Sequence, residues 1–563
     1  MKKIKILFAT LLLLCCALPI HGQQGYNVLI EQASELMYDN ADSAKYRKAM
    51  QLFDDAFRLY PDSVNVKGLY HASVLAGRLN LKDRAFSLIN RMNACEKDDF
   101  GLPGWTTIYW DKEIEKEYPN LIGDTRWSEM LKDVERRKAL FDKRLALSQK
   151  EFFASEYTAP NLSVSSQELY KYLQDGKGYL PKKERNYSIK FRINDSTLTS
   201  YYVHLPADYS PKQSYPLLVV LHGAVRNNSL LEFLTSEICL EGFNRFYTKY
   251  ANQHGVILLI PQGSKEYNWM MPDKGFFMVP SMVREVKKAL NVDDDRVFVS
   301  GHSNGATGSF SYLMKQPTIF AGFYGFNTLP KVRTGGTFAE NILNRSFLSF
   351  STDQDYYYPP NANDSMNELM SKLGADYKDV RTKGFPHWFP MFDESEPCFR
   401  LLFEDLIQRQ RNPYPSKLTW EYDDEQYNEV DWLSDIRMDT IAPRADWHKD
   451  LNFDITEWQK YDDNEVLQTI KVEEKAFQFP RKSAKIRAEY EKNTFRIETS
   501  CVKSFRINIS PKMIDTKKPV TVVVNGKRVF RRKVGYDKNY LLRQIEKQDR
   551  KQVWISGIDI RII

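Results

Sequence analysis

The spacing of apolar residues changes twice along the chain, and each change predicts a different kind of structure. From residue 25 to about residue 155, apolar positions recur at i, i+3 and i+4 and prolines are scarce, which predicts helices. In the middle, short β-branched and aromatic runs alternate with helical stretches. Towards the end the period becomes two, as in strands with one buried face. We therefore predict a multidomain chain with a helical region over 24–155, an α/β domain over 184–408 and a mainly β, sandwich-like domain over 416–563.

The helical region has small and bulky residues at regular positions. Between Tyr46 and Pro61, alanines lie at helix-packing positions, with bulky residues one turn away and a terminating proline. Ala85 and Leu88 follow Ala49 and Leu52 at close to the period of about 34 residues that tetratricopeptide repeats have. The region thus resembles a tetratricopeptide array. A generic helical hairpin domain is the alternative.

Eight runs in the middle region are predicted to be strands. Two of them, Leu217–Leu221 and Val256–Ile260, are continuously apolar, as expected for strands that are buried on both faces. Because strands alternate with helices, the region predicts a mostly parallel α/β sheet. The other predicted strands are Tyr187–Ile193, Tyr201–Leu205, Arg296–Ser300, Phe320–Gly325, Ser346–Ser351 and Tyr377–Arg381.

The C-terminal region contains a strong hairpin signal. Residues Val520–Val524 form an apolar run that leads into Asn525-Gly526 and then Val529. Asn-Gly between two such runs favours a tight β-turn. Upstream, a proline-rich stretch near Pro413 marks a linker between this region and the α/β domain.

Residues 1–23 have the pattern of a secretory signal. Three lysines precede an apolar run from Ile6 to Leu18, and Gly22 is a small residue at which cleavage is plausible. The run is short for a bilayer span. An N-terminal membrane anchor and a lipoprotein acylated at Cys15 or Cys16 are the alternatives. We expect a periplasmic or secreted protein with no transmembrane segment after the signal.

Composition limits the remaining classes of protein. The chain of 563 residues is 42% hydrophobic and 13% aromatic, which excludes global disorder, and its mean hydropathy of −0.52 excludes a polytopic membrane protein. The net charge of +7 is concentrated in the basic tail from Lys512 to Arg561. Charged faces of exposed strands explain this tail more simply than polyanion binding does, although attachment to an acidic glycan stays open. We expect no nucleic-acid partner.

The cysteines carry no metal-site or disulfide pattern. Four follow the signal, far apart and without ligand spacing, and the sequence does not pair them. The chain also lacks a Walker loop and an H-E-x-x-H motif. We therefore expect no metal.

A G-x-S-x-G motif lies between a predicted strand and a predicted helix. Residues 301–305 read Gly-His-Ser-Asn-Gly, after the strand Arg296–Ser300 and before a helix from Ala306 to Gln316. Strand, turn and helix in this order are the setting of a nucleophile elbow. Such a turn exposes the hydroxyl of Ser303, and the start of the helix favours negative charge beside it. We expect Ser303 to be a nucleophile.

A serine hydroxyl needs a base to take its proton. In proteins with this elbow the chain order is serine, acid, histidine. Two histidines follow Ser303: His387 comes directly after the last predicted strand of the sheet, whereas His448 lies beyond the linker. We therefore prefer His387 as the base.

The acid should follow the strand Ser346–Ser351, and the loop there offers Asp353 and Asp355. We favour Asp355 because Pro359 lies four residues further on, a spacing common in such loops. The acid would hold the tautomer of His387 and stabilise its imidazolium form. The other aspartate is then a turn or cap residue.

An oxyanion hole needs two backbone donors. The first is expected from the amide after the nucleophile, Asn304. The second should come from the loop after the strand Leu217–Leu221, where Gly223 lets the backbone approach the substrate and Ala224 supplies the amide. His222 in the same loop is expected to be a structural hydrogen-bonding residue.

Together these segments resemble the α/β-hydrolase family. Within it they are similar to secreted bacterial esterases of the polyhydroxybutyrate depolymerase and feruloyl esterase kind. There are two departures: Ala306 replaces a usual second glycine, and the oxyanion segment has no glycine after Gly223. The shared segments are Leu221–Gly223, Ile260–Gly263 with Trp269 shortly after, Asp295–Val297 and residues 301–305.

The resemblance implies an exported serine hydrolase that cleaves carboxylic esters through an acyl-enzyme, without a cofactor. Trp269 and Trp388 would line the substrate cleft, with core packing as the alternative for the segment around Trp269. The expected substrate is a small-molecule or glycan-linked ester, and the helical region offers a surface for a protein partner. A serine peptidase on the same fold and an inactive binding or scaffold protein are the alternatives.

Overall fold

The structure is a computed structural model, and residues 1–22 of the predicted signal segment and Pro359 lie outside the residues that it describes. These residues form two compact units. One contains the described residues up to Leu147 together with Thr235–Ile238, and the other contains Ser148–Leu234 and everything from Cys239 onward. The described ranges are 23–38, 42–156, 163–175, 178–225, 229–270, 274–358, 360–462 and 466–562.

The amino-terminal region is helical, which confirms that part of the prediction. Of the four residues that suggested a repeat, Ala49, Ala85 and Leu88 are fully buried in one apolar cluster, and Leu52 is partly buried against it. The tetratricopeptide interpretation stays a prediction. The helices are α1 (residues 23–38), α2 (Ser43–Leu59), α3 (Val66–Arg78), α4 (Lys82–Ala94), α5 (Thr106–Trp110), α6 (Ile114–Glu117) and α7 (Thr125–Phe152), with a 3-10 turn at Pro61–Ser63.

The α/β region is built on an eight-stranded sheet with the order β1-β2-β4-β3-β5-β6-β7-β8 in the described part of the chain. Each predicted strand overlaps an observed one. Five adjacent pairs are parallel: β4-β3, β3-β5, β5-β6, β6-β7 and β7-β8. The pairs β1-β2 and β2-β4 are antiparallel. The strands are β1 (Asn186–Arg192), β2 (Leu198–His204), β3 (Tyr215–Leu221), β4 (Ile257–Pro261), β5 (Val292–Gly301), β6 (Gly322–Phe326), β7 (Ser346–Gln354) and β8 (Tyr377–Pro386).

The central strands are predictable from the sequence because burial on both faces makes them continuously apolar. Every residue of β3, β4 and β6 is buried, because helices cover both faces of a parallel sheet. The helices of this region are α8 (Ser166–Gln174), α9 (Ser236–Leu240), α10 (Arg245–His254), α11 (Met278–Ala289), α12 (Asn304–Lys315), α13 (Pro360–Leu373) and α14 (Glu396–Gln408). Short 3-10 turns lie at Gly242–Asn244, Ala339–Asn344, Phe389–Met391 and Asp393–Ser395.

The C-terminal region is mainly β, with sheets in the orders β17-β16-β14-β13-β9, β10-β15-β18 and β11-β12. Asn525 and Gly526 both have positive φ and join β16 to β17, which confirms the predicted hairpin. The elements are β9 (Lys417–Tyr422), β10 (Leu433–Met438), β11 (Asp454–Tyr461), β12 (Leu467–Lys475), β13 (Ala484–Glu491), β14 (Thr494–Ser500), β15 (Val502–Ile509), β16 (Val520–Val524), β17 (Lys527–Arg532), α15 (Lys538–Leu542) and β18 (Ser556–Arg561), with 3-10 turns at Glu425–Tyr427 and Ile545–Lys547.

The linker predicted near Pro413 does not divide the second unit, because one apolar cluster includes residues of both the α/β and the β regions. Buried ion pairs also connect them. Lys315 Nζ lies 2.9 Å from Asp423 Oδ1. Arg345 binds both carboxylate oxygens of Asp431, at 2.6 and 3.0 Å. The two regions are thus parts of one folded body.

Two further observations concern the apolar character of the helices and the state of the cysteines. Among the described residues, none of the helices combines the length and the apolar character that crossing a membrane requires. The four cysteines that follow the signal pattern are each a free thiol: Cys95, Cys239, Cys398 and Cys501.

The Arg345–Asp431 pair yields a stability prediction. Asp431→Asn should lower the free energy of unfolding of the second unit by about 3–5 kcal/mol, because it leaves a buried guanidinium without its counter-charge. Urea denaturation followed by tryptophan fluorescence measures the change. The control is Glu425→Gln, which breaks a half-exposed pair with Arg437 and should cost about 1 kcal/mol or less. A loss below 1 kcal/mol in Asp431→Asn would contradict the assignment.

Candidate active site

Ser303 lies on a sharp turn between the end of β5 and the start of α12. Its backbone angles are φ 57° and ψ −120°, a conformation that a residue with a side chain rarely adopts. The Ser303 amide donates to the carbonyl of Phe326, at the end of the neighbouring strand β6, over 3.0 Å. The turn therefore holds the serine at the carboxyl edge of the sheet, above the N-terminus of a helix.

The glycines of the G-x-S-x-G motif are required by close backbone contacts. A Cβ on Gly305 would lie 1.9 Å from the carbonyl oxygen of Leu221, and one on Gly301 would lie 2.5 Å from the carbonyl carbon of Gly305. Both distances are far below van der Waals contact. The start of α12 can pass the end of β3 only because these residues have no side chain.

The structure brings together the serine, histidine and aspartate that the sequence singled out. Ser303 Oγ donates to His387 Nε2 over 2.8 Å, and His387 Nδ1 donates to Asp355 Oδ2 over 2.8 Å. His387 is 2% exposed and Asp355 is 1% exposed. The three side chains come from the loops after β5, β8 and β7, which all end at the same edge of the sheet.

Asp355 is held by more donors than the sequence indicated. Its Oδ1 accepts from the amides of Tyr357 and Tyr358, at 2.9 and 3.2 Å. Its Oδ2 also accepts from the side-chain amide of Asn327, at 2.8 Å. Sequence reasoning missed Asn327, whose only signal was its position directly after β6. Because both oxygens are occupied, the carboxylate cannot rotate away from His387.

The two alternative residues lie elsewhere and make other contacts. Asp353 lies within β7 and accepts from the amide of Gly384 in the neighbouring strand β8 over 2.7 Å, so it is a strand residue and not the predicted turn or cap residue. His448 is buried in the C-terminal region between Glu421 and Ser500, with hydrogen bonds of 2.8 Å to each. Neither of them forms a hydrogen bond with Ser303 or His387.

The predicted oxyanion loop lies beside the elbow, because β3 pairs with β5 at Leu221 and Gly301. A Cβ on Gly223 would be 3.2 Å from the Cβ of Ser303, so the two backbones nearly touch. Ala224 has φ 51°, a left-handed conformation that turns the loop directly after Gly223. The loop that contains Ala224 therefore lies next to Ser303, and the amides of Ala224 and Asn304 stay the predicted oxyanion donors.

His222 fixes the shape of this loop. Its Nε2 accepts from the amide of Gly263 over 3.0 Å, and its Nδ1 donates to the carbonyl of Gly223 over 2.7 Å. An amide can only donate and a carbonyl can only accept, so the ring is neutral with its proton on Nδ1. Burial lowers the pKa of His222, which keeps it in this form.

Residues 197–326 match a family model named Esterase, described as "Putative esterase". The match covers 130 of the 563 residues of the chain. The matched segment runs from β2 to β6 and includes the oxyanion loop and the elbow with Ser303. Asp355 and His387 lie beyond it.

Solved structures also match part of the chain, whereas no curated protein matches it. A thermostable esterase is 20% identical, with a TM-score of 0.33 over 40% of this chain and 64% of that one, less than two thirds of its length. S-formylglutathione hydrolase from Staphylococcus aureus is 14% identical, with a TM-score of 0.30 over 40% of this chain and 100% of that one. Esterase 2 from Thermogutta terrifontis, phosphoramylated by tabun, is 16% identical, with a TM-score of 0.33 over 40% and 96%.

The two tryptophans predicted to line the substrate cleft have different environments. Trp269 is 1% exposed and packs against the ring of His222 at 4.6 Å, in space left free by Gly263 and Gly308. It therefore does not line an open cleft: its large ring fills the core beneath the oxyanion loop. Trp388 is 45% exposed, with its ring 5.3 Å from that of His387, and forms an accessible wall beside the base.

The described residues contain no candidate metal site. Among the described residues, no group of three or more histidine, cysteine, aspartate or glutamate side chains is arranged to hold an ion.

The contact between Gly305 and Leu221 yields the second prediction. Gly305→Ala should destabilise the second unit by about 3 kcal/mol or more and misplace Ser303, because the new methyl overlaps a backbone carbonyl that cannot move independently. The yield of folded protein and urea denaturation measure the effect. Gly535→Ala is the matched control, since a Cβ there meets nothing within 4 Å, and its stability should stay unchanged or rise slightly. Equal stability of the two variants would disprove the steric argument.

Proposed function

We propose that the protein is an exported serine hydrolase that cleaves carboxylic esters, with Ser303 as nucleophile, His387 as base and Asp355 as the orienting acid. The observation that carries the proposal is the pair of 2.8 Å hydrogen bonds that joins these side chains on a strained elbow. Their location in and beside an esterase-family domain supports esters as the substrate class. The signal pattern of residues 1–23 supports export to the periplasm or beyond.

In the first half of the proposed reaction, Ser303 Oγ attacks the ester carbonyl while His387 Nε2 takes its proton. Asp355 accepts from Nδ1 and stabilises the positive charge on the ring. The carbonyl oxygen becomes an oxyanion between the amides of Ala224 and Asn304, each worth about 10²–10³ in rate as a typical donor. The N-terminus of α12 adds a favourable dipole at the same place.

In the second half, His387 gives its proton to the departing alkoxide and an acyl-enzyme remains on Ser303. Water then attacks the acyl carbonyl, with His387 again taking the proton, and the serine is released. Trp388 offers an apolar wall beside the base for one side of the ester. Tyr358 Oη donates to the side-chain oxygen of Asn304 over 3.3 Å, which links the acid loop to the start of α12.

The test of the proposal is the removal of the nucleophile. Ser303→Ala should abolish labelling by a fluorophosphonate and hydrolysis of p-nitrophenyl esters by the purified full chain, because the attacking oxygen is gone. Ser309→Ala is the control: this buried serine in the same helix donates to the carbonyl of Val299, and its loss should leave labelling intact. Labelling of Ser303→Ala would place the nucleophile elsewhere. Turnover of aminoacyl anilides without turnover of esters would favour a peptidase.

The acid is tested with a matched pair of variants. Asp355→Asn should lower kcat by about 10³–10⁴, because an amide in its place no longer stabilises the imidazolium or enforces the required tautomer. Asp353→Asn should change kcat by less than about threefold, since an amide oxygen still accepts the bond from Gly384. Steady-state ester hydrolysis, normalised to fluorophosphonate-titrated sites, gives both values. The reverse ranking would reassign the acid to Asp353.

A further inference from the structure

The loop that carries the base must reach across the sheet to meet the nucleophile. Ser303 follows β5 and His387 follows β8, and β6 and β7 lie between these strands. Three strand spacings amount to roughly 14 Å. We call residues 387–393 the base loop. A hydrogen bond of 2.8 Å between Ser303 and His387 therefore requires that other contacts hold the base loop over the intervening strand ends.

One such contact comes from His302, the neighbour of the nucleophile. Its Nε2 lies 2.7 Å from the main-chain oxygen of His387 and must donate to it, because a carbonyl only accepts. The ring of His302 stacks on Phe243 at 5.4 Å and lies 4.8 Å from the ring of His387. Burial, together with the neighbouring His387, lowers the pKa of His302 to about 3. The residue thus stays a neutral donor at ordinary pH.

The second contact comes from Arg245, at the start of α10. Its guanidinium donates to the carbonyls of Pro390 and Met391 and to a carboxylate oxygen of Asp393, each over 3.0 Å. A fourth bond of 3.0 Å goes to the carbonyl of its own neighbour Gly242, and the ring of Phe246 lies 4.2 Å from the guanidinium carbon. One rigid, planar group therefore ties the far end of the base loop to the body of the domain.

We propose that His302 and Arg245 are positioning residues that clamp the two ends of the base loop and so hold His387 against Ser303 and Asp355. The inference rests on the proposed function and adds two residues to it. Neither bonds to the reacting atoms: His302 acts through the main-chain carbonyl of His387 itself, and Arg245 acts through groups of residues 390–393, further along the base loop. A displacement of about 1 Å at the base is enough to cost about 10² in rate, so a clamp on the loop controls turnover.

Two replacements at His302 separate this role from simple packing. Glutamine places its amide where Nε2 of the imidazole lies, whereas the shorter asparagine reaches only the position of Nδ1. His302→Gln should keep kcat per titrated site within about threefold of the original value, and His302→Asn should lower it about 10–100-fold with a smaller change in KM. Thermal unfolding of both variants checks that they fold. Equal losses in the two variants, or no loss in His302→Asn, would overturn the clamp.

Arg245 is tested against a cation one turn further along the same helix. Arg245→Met should lower kcat about tenfold or more, because three bonds to the base loop disappear. Lys249→Met removes an exposed pair with Glu396, outside the base loop, and should leave kcat within about twofold. Equal kcat values for these two variants would show that the loop does not depend on Arg245.

A spectroscopic measurement keeps the clamp testable apart from turnover. The proton between His387 Nδ1 and Asp355 should give a low-field proton resonance in the full chain, and Asp355→Asn should remove it. Under the proposal, His302→Asn and Arg245→Met broaden or shift this resonance, while His302→Gln and Lys249→Met preserve it. If the original protein neither labels nor turns over esters, the proposed function fails. If the resonance is the same in all four variants, the clamp fails.

Discussion

The geometry of the site depends on one close approach, between the start of α12 and the end of β3. The carbonyl oxygen of Leu221 lies only 1.9 Å from where a Cβ on residue 305 would begin. Because Gly305 leaves that space free, the elbow lies directly beside the loop that follows β3, and Ser303 emerges next to the backbone of Gly223. One backbone contact therefore places the proposed nucleophile, the start of α12 and the loop after β3 side by side, without help from flexible side chains.

The C-terminal β region contacts the other end of α12. Lys315, the last residue of α12, is buried and paired with Asp423, which follows β9. Burying both ions costs solvation, so such a pair adds little net stability compared with apolar residues, but separating the partners is expensive. The pair therefore fixes which surfaces of the two regions meet. The helix behind the nucleophile is positioned by backbone sterics at one end and by a buried charge at the other.

Much of the fold and of the site could be predicted because it depends on residues that are close together in the sequence. The eight strands of the sheet, the Asn525-Gly526 turn and the elbow around Ser303 each depend on neighbouring residues. The environment of Trp269 was not predictable, since its burial depends on distant glycines at 263 and 308 that leave room for the ring. Asn327 and Arg245 were missed for a different reason. Asn327 is bonded to a carboxylate 28 residues further on, and Arg245 mostly to main-chain oxygens, and such contacts leave no pattern in the sequence.

Three histidines meet at the site, and their partners decide what each one does. His222 and His302 donate to backbone carbonyls, of Gly223 and of His387. Burial lowers the pKa of both, so neither competes for a proton near neutral pH. His387 instead bonds to a carboxylate on one side and to a hydroxyl on the other. In the proposed reaction the ring that faces Asp355 takes the proton of Ser303, and the two neutral rings hold the backbone around it in place.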